Sequence, residues 1–510
     1  MLAVNFTKTS RPSGDDAMRP QRPRIELDLP ITLDRTKKTS LEEQLLCQVR
    51  QAILLGQLSA GMRLPSTRSL AASLGISRTT TFAVYDRLLA EGYLSGKPGS
   101  GTFVSSDLQP RQPAIPTSVS KGAPRWLRHT SLHIRDEGPL QAETISFRPG
   151  ATFLPRTSQI QWQTTWKRMA SVSLPTDYTN PQGEMALRVP LSTYLGRARG
   201  VICTPEDILI TTGATEAIDL IARATLTPGA LVGIEEPGYA KARQIFLSHG
   251  ARLLPLIVDQ DGIRVDQLPT GNAAPVLIYV TPSHQYPLGS RLSTSRRLAL
   301  LEWARTNDVL IIEDDYDSEF RFDTPPLPAL ASLDTSRPVV YLGTFSKILT
   351  PAIRCGYLVA AQPLQDRLTQ IKMLTEFHTS WPLQQAIANF LTEGHLERHI
   401  RRMRQHYAQC RVALHMTLGQ TSHIAPLQGI EAGLHAYLAL PSYLDEQQIL
   451  SLVRKKGVVV YPLRDFFAGT PNRQGLVLGY GGLQKGEIIA GATRLADVIA
   501  LAANETRADK

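Results

Sequence analysis

Cysteine is scarce in this chain: its 510 residues carry four, Cys47, Cys203, Cys355 and Cys410, far apart and with no C-x-x-C pair. A disulfide framework or a cysteine-held metal is therefore not expected, and a reducing, cytoplasmic setting suits the chain. Long apolar runs are missing too. No stretch approaches the roughly 18 residues of a membrane helix, so no membrane partner is expected. The opening run MLAVNFTKTSRPSGDDAMRPQRPR lacks the apolar centre of a secretory signal. Charge of one sign does not dominate: 55 Lys and Arg face 45 Asp and Glu, for a net +10. That balance tolerates a polyanionic partner without identifying one. What remains is an ordinary globular composition, 42% hydrophobic and 20% charged, in a chain long enough for more than one domain.

The pattern along the chain divides it. Residues 1–38 are polar and non-periodic, and are expected to be unordered. Residues 39–106 read as a compact unit. Ser40 with Glu43 makes a capping box, and Leu41, Leu45, Val49, Ala52 and Ile53 share one helical stripe. Pro65-Ser66 opens a second short helix with Leu70 and Leu74 inward, and Gly75 makes a turn. Ser77 caps a third helix to about Glu91, expected to bury Phe82, Tyr85 and Leu88 or Leu89, and YLSGKPGSGTFV follows as two strands around a glycine-rich tip. Residues 107–144 turn to Pro, Ser, Gln and Arg and read as a linker. From 145 to 503, buried strands (DILIT, ALVGIEE, PVLIYVT, VLIIEDD, VVYLG) alternate with amphipathic helices, as in an α/β unit with a mostly parallel sheet. Residues 504–510 are a tail.

Two short helices joined at a glycine form a DNA-reading arrangement. The start of the second helix, Ser77, Arg78, Thr79 and Thr80, would reach base edges in the major groove. Arg78 suits a bidentate contact to guanine, and the threonines suit phosphate or a thymine methyl. Arg68 lies early on the preceding helix. Lys97, with Gly99 at the hairpin tip, suits a wing against the backbone or minor groove. A helical protein-interaction module with solvated arginines is the bland alternative. The run LPSTRSLAASLGISRTTTFAVYDRLLAEGYLSGKPGSGTFV closely resembles the winged-helix domain of GntR-family regulators, which implies double-stranded operator DNA as a partner.

In the second part, VVYLGTFSK delivers Lys347 at the end of a buried strand, where an amine loses its proton at low cost and attacks a carbonyl. Arg354 and Thr344 flank it, and the arginine offers a fork for phosphate. Ala214 and Thr215 open a helix after DILIT, where backbone N–H groups suit phosphate. VLIIEDDY ends on Asp314 and Tyr316: the carboxylate suits a pyridine nitrogen, the phenol a ring hydroxyl. Tyr239, in EEPGY, offers a face for stacking. Each piece alone has an ordinary structural explanation. Together they point to a Schiff base of pyridoxal 5'-phosphate on Lys347, with no metal.

Residues 145–503 resemble the class I and II aminotransferases of fold type I, and the whole chain is similar to the MocR/GabR subfamily of GntR regulators. The resemblance implies that Lys347 carries the cofactor, Asp314 faces the ring nitrogen and Tyr316 the phenolic oxygen, and Arg354 and Thr215 hold phosphate. It also implies a homodimer in which Tyr178 reaches the neighbouring subunit's cofactor. Two departures bear on function. QYPLG has Tyr286 where many transaminases carry asparagine, and LVLGY has Val477 where relatives often use a carboxylate-binding arginine. The expectation is a regulator that senses a small amine or amino-acid effector, or the cofactor itself. Arg464, Arg473 and Arg243 are the candidate partners for an acidic effector. The alternatives are an active aminotransferase with an accessory DNA-binding domain and a cofactor-free dimerisation scaffold.

Overall fold

A computed structural model describes residues 31–97, 100–107, 143–322, 327–334 and 338–508. They fall into two compact units that divide between His129 and Thr130. Most of the linker expected at 107–144 lies outside the described residues, as do Gly99, the side chain of Lys97 and the last two residues of the expected tail.

In the first unit, α1 (Leu41–Leu54) starts at Ser40, whose hydroxyl accepts from the Glu43 N–H. α2 (Thr67–Leu74) is capped by Ser66 and ends at Gly75, whose φ of 62° is in the left-handed region that glycine adopts freely. α3 (Arg78–Ala90) is capped by Ser77, which accepts from the Thr80 N–H. The strands β1 (Leu94–Lys97) and β2 (Gly101–Val104) pair antiparallel, Leu94 opposite Val104. One core joins Leu45, Leu46, Val49, Leu70, Val84 and Leu88, each fully buried side chain contributing roughly 1.5–3 kcal/mol relative to exposure. Phe82 corrects the sequence expectation: it is 61% exposed, because the inward stripe of α3 is Thr81, Val84, Tyr85 and Leu88. Phe82 lies one position off that stripe and so faces outward. Residues 31–38, placed in the non-periodic leader by sequence, are tied to this unit. The Gln48 amide exchanges two hydrogen bonds with the Thr32 backbone, and Arg35 donates to the Gly75 carbonyl at 2.6 Å.

The second unit opens with β3 (Ile145–Ser146) and carries an eight-stranded sheet. In chain order its strands are β4 (Ile208–Thr211), β5 (Leu231–Glu236), β6 (Arg252–Asp259), β7 (Gly262–Ile263), β8 (Leu277–Val280), β9 (Leu310–Asp314), β10 (Val339–Thr344) and β11 (Gly356–Val359). Their spatial order is β4-β11-β10-β9-β8-β5-β6-β7. From β10 across to β6 the pairs are parallel, whereas β11 is antiparallel to both its neighbours and β7 to β6. β4, β8 and β10 are buried along their whole length, as a sheet with both faces covered requires. The helix Ala214–Thr225 buries Ala217, Ile218 and Ile221 in one of these layers.

Toward the C-terminus a smaller sheet forms from β12 (Leu427–Gln428), β13 (His435–Leu440), β15 (Tyr461–Pro462) and β16 (Gln474–Gly479), while β14 (Val458–Val459) pairs with β3. The helices His395–Leu418 and Lys485–Ala508 cover it through Met403, Leu414, Leu495 and Ile499. Among the described residues no helix is long and apolar enough to cross a membrane.

Candidate functional site

Parallel strands deliver their C-terminal ends to one edge of a sheet, where ligand sites of open α/β folds gather. Here β9 ends on Asp314 and β10 on Thr344, adjacent in the sheet with Leu342 opposite Asp314. Thr344 caps the short helix Phe345–Ile348, its hydroxyl accepting from Ser346, and this helix carries Lys347. The antiparallel β11 starts where those strands end, so Arg354, just before it, reaches the same edge. Gly213 follows β4 with φ of 130°, and both terminal nitrogens of Arg354 lie 3.4 Å from where its Cβ would stand. No side chain caps the helix that begins at Ala214. Arginine and bare helix end therefore face each other across a turn that only glycine allows.

The electrostatics of this edge are set by burial. Lys347 Nζ donates to the Gly150 carbonyl at 2.7 Å. Burial lowers its pKa to about 8; Asp317 and Asp314 oppose that, and Lys241 and Arg148 reinforce it. Burial raises the Asp314 carboxyl to about 6, against a hydrogen bond from Tyr279. Tyr279 occupies Oδ2 at 2.5 Å, and Oδ1 is buried without a partner. Beneath lies an ion pair that sequence reading missed. Arg199 Nε meets Asp315 Oδ2 at 2.5 Å, with Tyr341 donating to the same oxygen and Arg199 also reaching Ser283. Burial alone would raise Asp315, but the guanidinium holds it below the usual carboxylate range.

Aromatic rings wall the edge. Tyr239 stacks near Tyr279 with centroids 6.4 Å apart and hydrogen-bonds Thr215. Tyr286 stands edge-on to Tyr239, Tyr316, His435 and Phe466. Val477 is fully buried in β16, opposite Tyr437 and Tyr461. Ligand-type atoms of His284, Asp317 and His435 lie within 4.8 Å of one another. The Asp317 oxygen there already faces His284 and accepts from the Leu434 N–H.

The candidate effector arginines each have partners of their own. Arg464 lies 3.5 Å from Glu446 and shares with Arg473 a cleft in which Lys347 takes no part. Arg473 donates to the Val258 carbonyl and Arg243 to that of Phe466. Lys241 and Arg148, which no motif had marked, are cations whose charge acts on Lys347. Tyr178 is 75% exposed against the Phe377 ring. In the first unit Arg68, Arg78 and Thr79 are exposed, whereas the Ser77 and Thr80 hydroxyls engage each other at 2.8 Å. That contact helps fix the N-terminal turn of α3.

Comparison with known proteins agrees with this geometry. The aminotransferase class I and II family matches residues 161–474, and the gntR family of bacterial regulatory proteins matches residues 41–104. The chain is 36% identical over 460 residues to the probable rhizopine catabolism regulatory protein MocR of Rhizobium meliloti, covering 89% of this chain and 92% of that one. It is 35% identical over 454 residues to the pyridoxine biosynthesis transcriptional regulator PdxR of Corynebacterium glutamicum, covering 89% and 95%. Among solved structures, a Pyrococcus horikoshii kynurenine aminotransferase shares 27% identity with a TM-score of 0.65, over 74% of this chain and 97% of that one. Aminotransferases of this fold depend on pyridoxal phosphate and are typically dimers, and GntR-type regulators bind operator DNA. The chain belongs to the MocR/GabR subfamily of GntR-family transcription regulators, in which a winged helix-turn-helix is fused to an aminotransferase-like unit.

Proposed function

We propose that this regulator holds pyridoxal 5'-phosphate on Lys347, and that capture of an amine-bearing metabolite, or of the cofactor itself, changes its hold on operator DNA. One observation carries the reading: a half-buried amine of lowered pKa and a buried carboxylate oxygen without a partner stand at the ends of neighbouring strands. The residues fit the cofactor. Asp314 Oδ1 lacks the donor that a protonated ring nitrogen would supply, and Arg354 with the uncapped Ala214-Thr215 helix end suits a phosphate. Tyr239, held by Thr215, offers its face, and Tyr316 lines the same edge.

When bound, the cofactor supplies an aldehyde carbon that exchanges one amine for another. The chain's own part is to raise the neutral fraction of Lys347 near neutral pH far above that of an ordinary lysine, to keep a proton on the ring nitrogen through Asp314, and to grip the phosphate. Tyr286 and buried Val477 leave out the amide and the arginine that many aminotransferases use at those positions, which favours sensing over turnover. A switch needs contacts that differ between its two states. A coupling of about 1–3 kcal/mol changes affinity severalfold or more. Of the relatives, one is named for pyridoxine biosynthesis and one for rhizopine catabolism.

We also propose a homodimer. The segment from Ile160 to Ile202 exposes Trp166, Leu174, Tyr178 and Val189, and Ile202 itself is 96% exposed. A second copy would cover this surface and bring Tyr178 to its partner's site. The test is operator binding by the full chain with and without pyridoxal phosphate, then with a panel of amines and amino acids. Affinity should move with cofactor or with one amine class in the native protein and stay fixed in Lys347→Ala. Steady transamination at ordinary enzyme rates, on the order of 1 per second or faster, would instead favour an enzyme.

A further inference from the structure

One buried titratable cluster is left unused by the function above. Nδ1 of His284 lies 3.0 Å from Asp317 Oδ2, and both side chains are almost fully buried. The Tyr316 hydroxyl is 3.1 Å from the same Nδ1 and 2.9 Å from the carbonyl oxygen of His284 itself. One phenolic proton thus has two acceptors within reach, and the state of the imidazole decides between them. A ring protonated at Nδ1 donates to Asp317 and has no lone pair there, so Tyr316 donates to the carbonyl. A ring protonated only at Nε2, toward the Gly429 carbonyl at 3.4 Å, offers Nδ1 as an acceptor and draws the phenolic proton to itself.

We propose that Asp317 and His284 are positioning residues that set which acceptor the Tyr316 hydroxyl donates to, and with it the direction in which its lone pairs face the Lys347 pocket. The surroundings are built to hold the pair. A side chain at Gly433 would strike both the imidazole and the Asp317 carboxylate, so glycine there lets the chain close over them. Leu434 donates its N–H to Asp317 Oδ2 at 3.3 Å. Burial alone would push the His284 imidazole toward its neutral form; the charge and hydrogen bond of Asp317 outweigh this and raise its pKa. The other groups facing the pair are Glu431 and His435 on the His284 side, and Lys347, Asp314 and Tyr480 on the Asp317 side. Burial and the neighbouring His284 keep His435 neutral. Tyr316 in turn faces Tyr286, Asp314 and Glu235. The Nδ1 proton of His284 is therefore the one whose presence changes the acceptor that Tyr316 uses.

The experiment has two arms, and only the second rests on the Lys347 reading. In the first, full-length cofactor-free protein with labelled histidine is titrated by NMR, and His284 is assigned by its loss in His284→Gln. Its midpoint should lie above the ordinary value of about 6.5. Asp317→Asn should lower it by about one to three pH units, and Tyr316→Phe should also move it. A midpoint that neither substitution moves overturns the proposal. In the second arm, protein loaded with pyridoxal phosphate is titrated through its visible absorption band. His284→Gln should shift the pH midpoint of the band in the native background and not in Tyr316→Phe; equal shifts in both overturn the proposal. A loaded protein with no visible band counts against Lys347 as the anchor, and the first arm still decides the pair.

Discussion

The Lys347 amine donates to the carbonyl oxygen of Gly150, a residue 197 positions earlier in the chain. Gly150 has φ of 83°, and a Cβ there would collide with the amine itself. The contact makes the turn around Gly150 a wall of the pocket; glycine is required there by conformation, and a Cβ would push the Lys347 amine aside. Gly150→Ala should destabilise the protein by about 1–3 kcal/mol and weaken pyridoxal phosphate capture as well. Denaturant melts and cofactor titration check the two effects separately.

Capture should depend on pH in a way that identifies the amine. Burial disfavours the ammonium form and brings Lys347 to about 8, whereas an ordinary lysine titrates near 10.4. Only the neutral amine attacks the aldehyde. The rate of cofactor uptake in stopped-flow absorbance should therefore rise through pH 8 and level off about one unit above it. A continued rise toward pH 10 would point to a solvated lysine.

Asp314 sets stability against function. Its carboxyl titrates at about 6 in the folded protein, above the ~3.9 of an unfolded chain. A group shifted this way favours folding while protonated and opposes it once ionised, so its cost is present in full above pH 6. Asp314→Asn should stabilise the cofactor-free protein by roughly 1–3 kcal/mol at pH 8, with the gain vanishing below about pH 4. The same variant should bind pyridoxal phosphate more weakly, since an amide cannot hold a proton on the ring nitrogen. Melts at the two pH values and a cofactor titration are the measurements.

On the DNA side, Arg78→Ala should cost about 1–3 kcal/mol at the operator and relax base choice, while Lys97→Ala should weaken binding evenly across sequences. Exposed Arg78 at the start of α3 supports the first of these. Fluorescence anisotropy with operator and scrambled duplexes, at two salt concentrations, separates base reading from phosphate contact.

The sequence expectations succeeded where chemistry is local. The helix starts at Ser40, Ser66 and Ser77, and the runs that became β4, β5, β8, β9 and β10, follow from short-range periodicity and composition. Phe82 failed because apolar character alone does not say which face of α3 turns inward. β6 was not singled out because it is partly exposed and contains Pro255, so no buried run marks it. The Arg199–Asp315 ion pair, the Gly150 contact and the His284–Asp317 pair each join segments far apart in the chain. No spacing rule links such residues, since only the crossovers of the sheet bring them to one edge. The same holds for Arg148 and Lys241, whose charges act on Lys347.

The anchoring role of Lys347 is tested most directly by borohydride reduction of the full chain incubated with pyridoxal phosphate, followed by peptide mass mapping. The account predicts one stable pyridoxyl adduct, on the peptide carrying Lys347, absent from Lys347→Ala and accompanied by an operator affinity that no longer answers to added amines. An adduct on another lysine, or none, would contradict it.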